Sequence, residues 1–379
     1  MILMNNSSIK ETNLAAVKSY LLSHEGCTRV QIATDLGLSK MTISNIVNAL
    51  LEEGFVEEQN LPSSDSRGRP AKRLVVSSAS PRIIGILLDY RKAKVFYSSL
   101  SGEVLSSTEI FSYETQETQF QNQILEEIDR IARESMSHSI YGFSVSVNGL
   151  VNGDTIENSQ ELFGIKNFSL LSEIKKRYSL PVYIDNAHYC DTSLEIRSGI
   201  LQGKKEAIFL HVGKHIYGTM VHLGEILRFQ GQEGEFGHIS IDYNGLSCEC
   251  GNRGCLETYA STTAMEKKLR EITKLKTDFR GFCEQQAKKN DSRIDWALKD
   301  MMDKIAAALV GYINLMHPEI VVIGGDGVCL PDRYLAKLEK SLKEKTKGAH
   351  KTEVKKPKFK GSSTEAGVIL PILQSIPNL

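Results

Sequence analysis

Residues 234–257 read GEFGHISIDYNGLSCECGNRGCLE and combine one histidine with three closely spaced cysteines. Three thiolates and one imidazole match the donor set of a tetrahedral structural zinc site, and two glycines between the cysteines let the backbone fold tightly around an ion. The four donors are His238, Cys248, Cys250 and Cys255. Because the protein fills all four positions, the metal has no open position at which to activate water. The stretch therefore predicts one structural zinc ion per chain.

The composition of the chain limits the other interpretations of this stretch. A formal net charge of zero over 379 residues gives no overall field that attracts nucleic acid or membrane. No signal-peptide core or run of ~18 apolar residues is present, so we expect a cytoplasmic protein without membrane insertion. Reduced thiols and an odd total of seven cysteines argue against a disulfide knot. Three reduced cysteines without metal remain the alternative. The cysteines outside the motif are predicted to be small buried hydrophobic residues: Cys27, Cys190, Cys283 and Cys329.

The N-terminal region has the spacing of a helix-turn-helix. Residues 28–36 form a short predicted helix, Gly37 supplies a turn, and Ser39 can cap a second helix that runs to about Glu52. Short polar side chains on this second helix can reach base edges in the major groove. The candidate DNA contacts on it are Lys40, Thr42, Ser44, Asn45 and Asn48. A small helical bundle used for dimerisation is the alternative.

Two predicted strands, residues 55–59 and 72–77, surround a basic loop and complete a winged helix. The loop contains SRGRPAKR, in which Arg67, Arg69 and Lys72 are candidate DNA contacts. Arginines on a flexible glycine and proline backbone fit a narrow minor groove of A·T-rich DNA. A solvated linker is the alternative for this loop. The partner expected from both devices is double-stranded operator DNA.

From about Arg82 the pattern changes to alternating strands and helices, which indicates an α/β region of two lobes. We expect a winged helix-turn-helix in residues 1–80. The first lobe is predicted for residues 81–190 with the C-terminal segment 360–379, and the second for residues 191–359.

Two carboxylates flank the predicted metal site. Glu235 precedes His238 and Glu257 follows Cys255, so the metal fixes both relative to the imidazole. A rigid set of acceptors suits a polyhydroxylated ligand. Surface carboxylates without a ligand are an equally good interpretation of the spacing alone.

The motif GEFGHISID with CECGNRGCLETYAS resembles the signature of the ROK family, which contains sugar kinases and sugar-responsive repressors. The resemblance extends over nearly the whole chain, through SVSVNGLVNG, LPVYIDN and NLMHPEIVVIGGDGV. It implies a winged helix-turn-helix followed by a two-lobed, actin-like ATPase (ribonuclease-H-like) fold with a sugar cleft between the lobes. It also implies zinc binding by the four donors and sugar contacts from Glu235, His238 and Glu257.

Three departures from the kinase pattern indicate that the chain is not an enzyme. Where kinases of this family resemble GIDIGGTK, this chain reads GILLDYRK, so that Leu87 occupies the acidic position and Asp89 and Tyr90 replace two glycines. A second phosphate turn reads GKHIYGT, and Ala187 stands at the position of the catalytic aspartate. Without a positioned base and open phosphate turns, phosphoryl transfer loses both positioning and electrostatic stabilisation.

The cleft then resembles a kinase site used as a sensor. Asn186 is a predicted hydroxyl contact, and Glu161 replaces the sugar-binding asparagine of the kinases, which favours a smaller or differently substituted sugar such as a pentose. We therefore predict a sugar-responsive repressor of carbohydrate genes that binds a palindromic operator as a homodimer or homotetramer. Control by a protein partner, or a bifunctional sugar kinase, are the alternatives.

Overall fold

The computed structural model describes residues 6–24, 26–60, 72–112, 119–135, 139–228, 234–346, 351–359 and 365–376. The chain folds as two units, residues 1–186 with 365–379 and residues 187–364. The predicted bounds between the domains stay a prediction. None of the helices in the described ranges is long and apolar enough to cross a membrane.

The first unit begins with a winged helix-turn-helix, as predicted. Its elements are α1 (Asn6–Ser23), α2 (Arg29–Leu36), α3 (Lys40–Glu52), β1 (Val56–Asn60) and β2 (Lys72–Val76). Thr28 and Gln31 form a capping box at the start of α2, and Gly37 ends this helix in the left-handed region with φ 64°. Ser39 Oγ accepts from Thr42 N at 3.0 Å and caps α3. Local capping therefore fixes the turn that sets the angle between the two helices.

An apolar stripe holds α3 against the rest of the winged domain. Ile43, Val47 and Leu50 are fully buried at helical spacing. Strands β1 and β2 pair antiparallel from Val56 with Val76 to Asn60 with Lys72. The opposite, polar face of α3 is thus left to solvent.

The remainder of the first unit is built on a five-stranded sheet of order β5-β4-β3-β6-β9. The elements are β3 (Arg82–Asp89), β4 (Lys92–Ser98), β5 (Val104–Phe111), α4 (Gln119–Glu134), β6 (Ile140–Val147), β7 (Val151–Asn152), β8 (Thr155–Ile156), α5 (Ser159–Phe163), α6 (Leu170–Arg177) and β9 (Val182–Asn186). Strands β3, β4 and β5 are antiparallel neighbours, whereas β6 and β9 run parallel to β3. Helix α4 buries Ile124, Ile128 and Ile131 in the core of this unit.

The second unit repeats the same sheet topology with the order β12-β11-β10-β13-β14. Its elements are α7 (Ala187–Ser198), β10 (Ala207–Val212), β11 (Ile216–His222), β12 (Glu225–Ile226), α8 (Glu257–Ala260), α9 (Thr262–Thr273), α10 (Phe279–Lys289), α11 (Ser292–Met316), β13 (Ile320–Gly325), α12 (Asp332–Lys345) and β14 (Glu353–Lys355). Short 3-10 helices occupy Phe236–His238 and Asp326–Cys329. The chain then returns to the first unit as α13 (Glu365–Val368) and α14 (Leu370–Ser375). This repetition of one sheet confirms the predicted two-lobed α/β fold.

Candidate functional sites

The cysteine loop, residues 234–256, lies between β12 and α8 and has little regular structure of its own. Isolated bridges join Ser240 to Cys255 and Ser247 to Arg253, so the loop closes on itself. Gly254 has φ 66°, and a Cβ there would lie 1.7 Å from the carbonyl oxygen of Asp242. Any other residue at this position would push the two arms of the loop apart. The glycine spacing seen in the sequence is thus what brings the cysteines together.

The four predicted metal ligands converge in one place. One donor atom from each of His238, Cys248, Cys250 and Cys255 lies within 4.8 Å of all the others. The sulfurs of Cys250 and Cys255 are 3.7 Å apart, and Cys248 Sγ lies 3.5 Å from His238 Nδ1. For Zn–S bonds of ~2.3 Å and Zn–N bonds of ~2.1 Å, a tetrahedron places two sulfurs about 3.8 Å apart and sulfur and nitrogen about 3.6 Å apart. The donor set and its spacing fit a four-coordinate metal ion.

The second ring nitrogen of His238 faces away from the cysteines. Its Nε2 lies 3.9 Å from Glu235 Oε2, while Nδ1 faces Cys248. Burial raises the pKa of the Glu235 carboxyl above its ordinary value. The His238 ring therefore lies between the cysteine donors and the predicted sugar contact Glu235.

Glu257, the first residue of α8, is held on the other side of the same loop. Its Oε2 accepts from the Ile216 backbone N at 3.0 Å, and its Oε1 lies 3.1 Å from His215 Nδ1. Burial alone would raise the pKa of Glu257, but hydrogen bonds from His215 and Ile216 outweigh it and hold the pKa below its ordinary value. The hydrogen bond to Glu257 in turn raises the pKa of His215. A charged carboxylate is thus fixed beside Gly237, where a Cβ would lie 2.8 Å from Glu257 Oε2.

His215 is a residue of this site that the sequence analysis did not assign to it. The sequence placed it in the phosphate-type turn, as a side chain that crowds a phosphate. The structure connects this turn to Glu257, 42 residues further along the chain. No local motif signals such a contact, because it depends on how β11 packs beside α8.

The two remaining predicted sugar contacts belong to the first unit. Asn186 ends β9 and is 2% exposed, and its Nδ2 donates to the Gly149 carbonyl oxygen at 2.7 Å. Glu161 lies on α5, and its side chain is outside the described part of the structure. Both residues therefore remain predicted contacts.

On the recognition helix α3, the predicted DNA contacts differ in how far they are exposed. Lys40, Asn45 and Asn48 are exposed, and Ser44 is half-buried. Asn48 Oδ1 accepts from Arg29 Nη1 at 3.0 Å, and the Thr42 hydroxyl lies 2.8 Å from Ser39 Oγ at the cap. Lys40 and Asn45 thus present their side chains to solvent, while Asn48 and Thr42 also stabilise the winged domain itself.

The wing is described only at its two strands. Lys72 Nζ lies 2.6 Å from Glu58 Oε2, and the same carboxylate pairs with Arg29 at 2.9 Å. Arg67 and Arg69 lie outside the described residues. The minor-groove prediction for this loop therefore stays a prediction.

The first stretch that departs from the kinase pattern forms a turn with bulky side chains. Tyr90 and Arg91 make a two-residue turn between β3 and β4, with Arg91 at φ 52° and Tyr90 52% exposed. Asp89 Oδ1 accepts from the Tyr90 backbone N at 2.7 Å and from Asn148 Nδ2 at 3.3 Å. Asp89 thus adds a carboxylate, and Tyr90 an aromatic ring, at the turn where the kinase pattern has two glycines.

A cluster of aromatic rings, not foreseen from the sequence, lies beside the second phosphate-type turn. The ring of His188 is 4.3 Å from that of His211 and 4.6 Å from that of Tyr217. A Cβ on Gly325 would lie 2.7 Å from His211 Nε2, so this imidazole is pressed against the glycine turn after β13. Burial lowers the pKa of His188 well below its ordinary value. The rings of His188, His211 and Tyr217 therefore pack together beside these glycine turns.

Comparison with known proteins agrees with this architecture. Residues 83–370 match the ROK family, and residues 19–57 match the winged helix-turn-helix DNA-binding family. The first match covers well over half of the chain. The chain belongs to the ROK family.

Two relatives that match over most of this chain are named as repressors. The chain is 26% identical over 361 residues to the xylose repressor of Caldicellulosiruptor bescii, with 90% of each chain covered. It is 25% identical over 337 residues to the N-acetylglucosamine repressor of Escherichia coli, which covers 85% of this chain and 82% of the relative.

Solved structures show that regulators and kinases share this ROK fold. A ROK family transcriptional regulator, a homologue of the Escherichia coli MLC protein, matches with a TM-score of 0.81 at 23% identity, covering 97% of each chain. The ROK hexokinase of Thermus thermophilus matches with a TM-score of 0.64 at 21% identity and covers 77% of this chain and 97% of its own. At this level of identity the likeness establishes the fold alone.

Proposed function

We propose that this ROK-family chain is a DNA-binding transcriptional repressor of carbohydrate genes whose affinity for its operator changes when a sugar binds. The observation that carries the proposal is the combination, in one chain, of an exposed recognition helix with a ROK domain. In that domain Glu235, His238 and Glu257 are held together by the cysteine loop. The repressor names of its relatives support this function.

Recognition of DNA is assigned to the polar face of α3. Lys40 and Asn45 are exposed there, and an asparagine can make two hydrogen bonds to an adenine edge. A homodimer, or a homotetramer made of dimers, would present two such helices to successive major grooves about 34–36 Å apart. A palindromic operator follows from that symmetry.

The metal is assigned a structural role, and we propose zinc. Four protein donors leave no position for water. A set of thiolates with one imidazole binds zinc better than it binds hard cations such as magnesium. The ion would supply rigidity to the loop. His238 would then use Nε2, together with Glu235 and Glu257, to accept or donate hydrogen bonds with sugar hydroxyls.

Sugar binding can change DNA affinity only through different affinities for two forms of the protein. Glu235, His238 and Glu257 are the residues proposed to supply that difference, with Asn186 and Glu161 as further contacts. The relatives are named after different sugars, xylose and N-acetylglucosamine, so the panel of effectors includes pentoses, hexoses and amino sugars.

We further propose that the chain lacks sugar kinase activity. Tyr90 and Asp89 occupy the first phosphate-type turn, and Ala187 has no group that can take a proton from a sugar hydroxyl. The family also contains kinases, which makes a bifunctional kinase the second candidate. A coupled assay for sugar-dependent ATP consumption separates the two, since the repressor hypothesis predicts no consumption above background.

Fluorescence anisotropy on DNA from upstream of the gene tests the repressor proposal. We expect tight binding to this DNA and much weaker binding to a scrambled sequence of equal length, by a factor of about a thousand or more. Equal binding to both DNAs would reject sequence-specific regulation. If specific binding persists but every sugar fails to change it, the sensor would instead answer to a protein partner.

A further inference from the structure

A cavity lies where the two wing strands meet the edge of the first ROK sheet. Its volume is about 370 Å³, within the range of small-molecule pockets. One wall comes from β1 and β2, another from the segment that joins β2 to β3, and a third from the turn between β4 and β5. The charged lining residues are Glu57, Arg73, Arg82 and Glu103.

Arg82 supplies a buried positive charge to this cavity. The side chain belongs to a residue only 8% exposed, and its Nη2 donates to the Ser78 carbonyl oxygen at 2.5 Å. Its Nε is buried without a hydrogen-bond partner. Within the described ranges no carboxylate forms an ion pair with it. A buried guanidinium without an anion is costly, so an anion bound beside Arg82 would be stabilised there.

Arg73, on wing strand β2, likewise lacks an ion-pair partner among the described residues. Its Nη2 donates to Gln59 Oε1 at 2.8 Å, a neutral acceptor, and its Nε is buried without a partner. Among the residues that the structure describes, it too has no carboxylate partner. Two guanidinium groups that line one cavity can share one anionic group by charge-assisted hydrogen bonds.

The two acidic residues of the cavity, Glu57 and Glu103, offer hydrogen-bond acceptors to a ligand. Glu57 accepts from Gln59 Nε2 at 3.1 Å and lies 3.5 Å from Ser77 Oγ, while Glu103 is exposed at the mouth. Neither forms an ion pair inside the described segments. Ionised carboxylates only accept hydrogen bonds, so a ligand that reaches them must carry hydroxyl or other donor groups.

We propose that this cavity is a second ligand site, which binds a small hydroxylated anion such as a sugar acid or a sugar phosphate. Arg73 and Arg82 bind the carboxylate or phosphate, and Glu57 and Glu103 accept from the hydroxyl groups. The ligand touches both the wing and the ROK sheet, so its binding holds the DNA-binding domain against the first lobe. This site is separate from the cysteine loop and does not depend on the sugar contacts proposed there.

Isothermal titration calorimetry of the full-length protein with gluconate, glucose-6-phosphate, inorganic phosphate and glucose tests the proposal. We expect gluconate or glucose-6-phosphate to bind, and the tighter of the two identifies carboxylate or phosphate as the preferred anion. Arg73→Gln should weaken this binding by about tenfold or more, whereas Arg133→Gln on the exposed face of α4 should leave it unchanged. Glu103→Gln should weaken the hydroxylated anions without weakening inorganic phosphate.

Arg82→Lys serves as a further variant that keeps the buried charge but removes the fork of donors, and we expect weaker anion binding from a folded protein. The proposal is rejected if neither hydroxylated anion binds at millimolar concentration, or if Arg73→Gln and Arg133→Gln bind equally well. Loss of anion binding in Glu257→Gln, with the arginine variants unaffected, would place the anion at the cysteine loop and also reject this site. Failure here would leave specific DNA binding and the sugar response untouched.

Discussion

The cysteine loop and the turn between β3 and β4 show opposite relations to the kinase pattern of the ROK family. The loop carries every donor of that pattern, brought within 4.8 Å of one another. The turn carries Tyr90 and Asp89 where the pattern has glycines, and it closes as a two-residue hairpin with Arg91 at φ 52°. One region keeps the donors of the family signature, while the other has bulky side chains where the kinase pattern has glycines.

The cysteine loop and the turn between β3 and β4 are organised by separate parts of this fold. The loop is organised by local closure, since Gly254 has no room for a side chain next to Asp242. The turn is organised by the pairing of β3 with β4, which tolerates large residues at its tip. Residues at the tip of this turn can therefore change without altering the closure of the cysteine loop.

Loss of a metal ligand should have the largest effect, on both metal affinity and the sugar response. Cys250 is exposed, so Cys250→Ser removes a donor with little disturbance of the core. We expect metal affinity to fall by at least roughly a hundredfold and the sugar response to disappear, because Glu235, His238 and Glu257 lose their common support. Metal content by mass spectrometry and DNA anisotropy with sugar measure the two effects.

Cys329→Ser, a half-buried cysteine outside the loop, is the matched control and should keep both metal and response. Specific DNA binding without sugar should survive in both variants, since the four proposed ligands all lie in the cysteine loop. A metal-free Cys250→Ser protein that still responds at the same sugar concentration would show that the loop does not support the sensor.

Glu257→Gln should have the next largest effect. The substitution keeps the size of the side chain but weakens the hydrogen bonds to His215 and to sugar hydroxyls. We expect sugar affinity to fall by about ten- to a hundredfold, as for a lost hydrogen bond to a charged group. Operator affinity without sugar should stay unchanged. Glu225→Gln, exposed on β12, is the control, and an equal loss in both variants would remove Glu257 from the site.

On the recognition helix, Asn45→Ala should reduce operator affinity by about tenfold, the lower range for loss of a good base contact. Lys40→Ala should weaken binding to operator and scrambled DNA alike and lower the salt dependence by about one charge. Competition binding over a range of salt concentrations measures both. Equal losses of Asn45→Ala on both DNAs would place Asn45 on the phosphates.

The smallest effect is expected from the β3–β4 turn. Tyr90→Gly should change stability by less than about 1 kcal/mol, because the side chain is largely exposed at the tip of a hairpin. Sugar response should stay within about twofold of the parent, and no ATP consumption should arise, since Leu87 and Ala187 remain. Kinase activity gained by this single change would show that Tyr90 alone blocks the phosphate.

What was predictable from the sequence is what is encoded locally. The turn residue Gly37 and the capping residue Ser39 placed the helix-turn-helix in advance, whereas the capping box of Thr28 became visible only in the structure. The same holds for the cysteine loop, whose donors lie within 18 residues of one another (His238 to Cys255) and whose glycines determine the closure. Spacing and turn chemistry were sufficient in both regions.

Contacts between distant segments were not predictable. The pairing of His215 with Glu257 and of Asn48 with Arg29 depends on tertiary packing, not on a motif. The stack of His188 on Tyr217 likewise joins α7 to β11, and Arg82 lines one cavity together with residues of the wing strands. Periodicity gives the face on which a residue lies, but not the partner that the fold brings to it.

The most direct test of a ROK sensor that acts without kinase chemistry is a titration of the protein bound to its own upstream DNA. Fluorescence anisotropy would follow the complex as pentoses, hexoses, amino sugars and their phosphates are added in the absence of ATP. We predict that one unphosphorylated sugar changes DNA affinity by tenfold or more, and that Glu257→Gln removes this change. Tight, specific DNA binding that no sugar alters, or an effect that requires ATP, would contradict the proposed sensor.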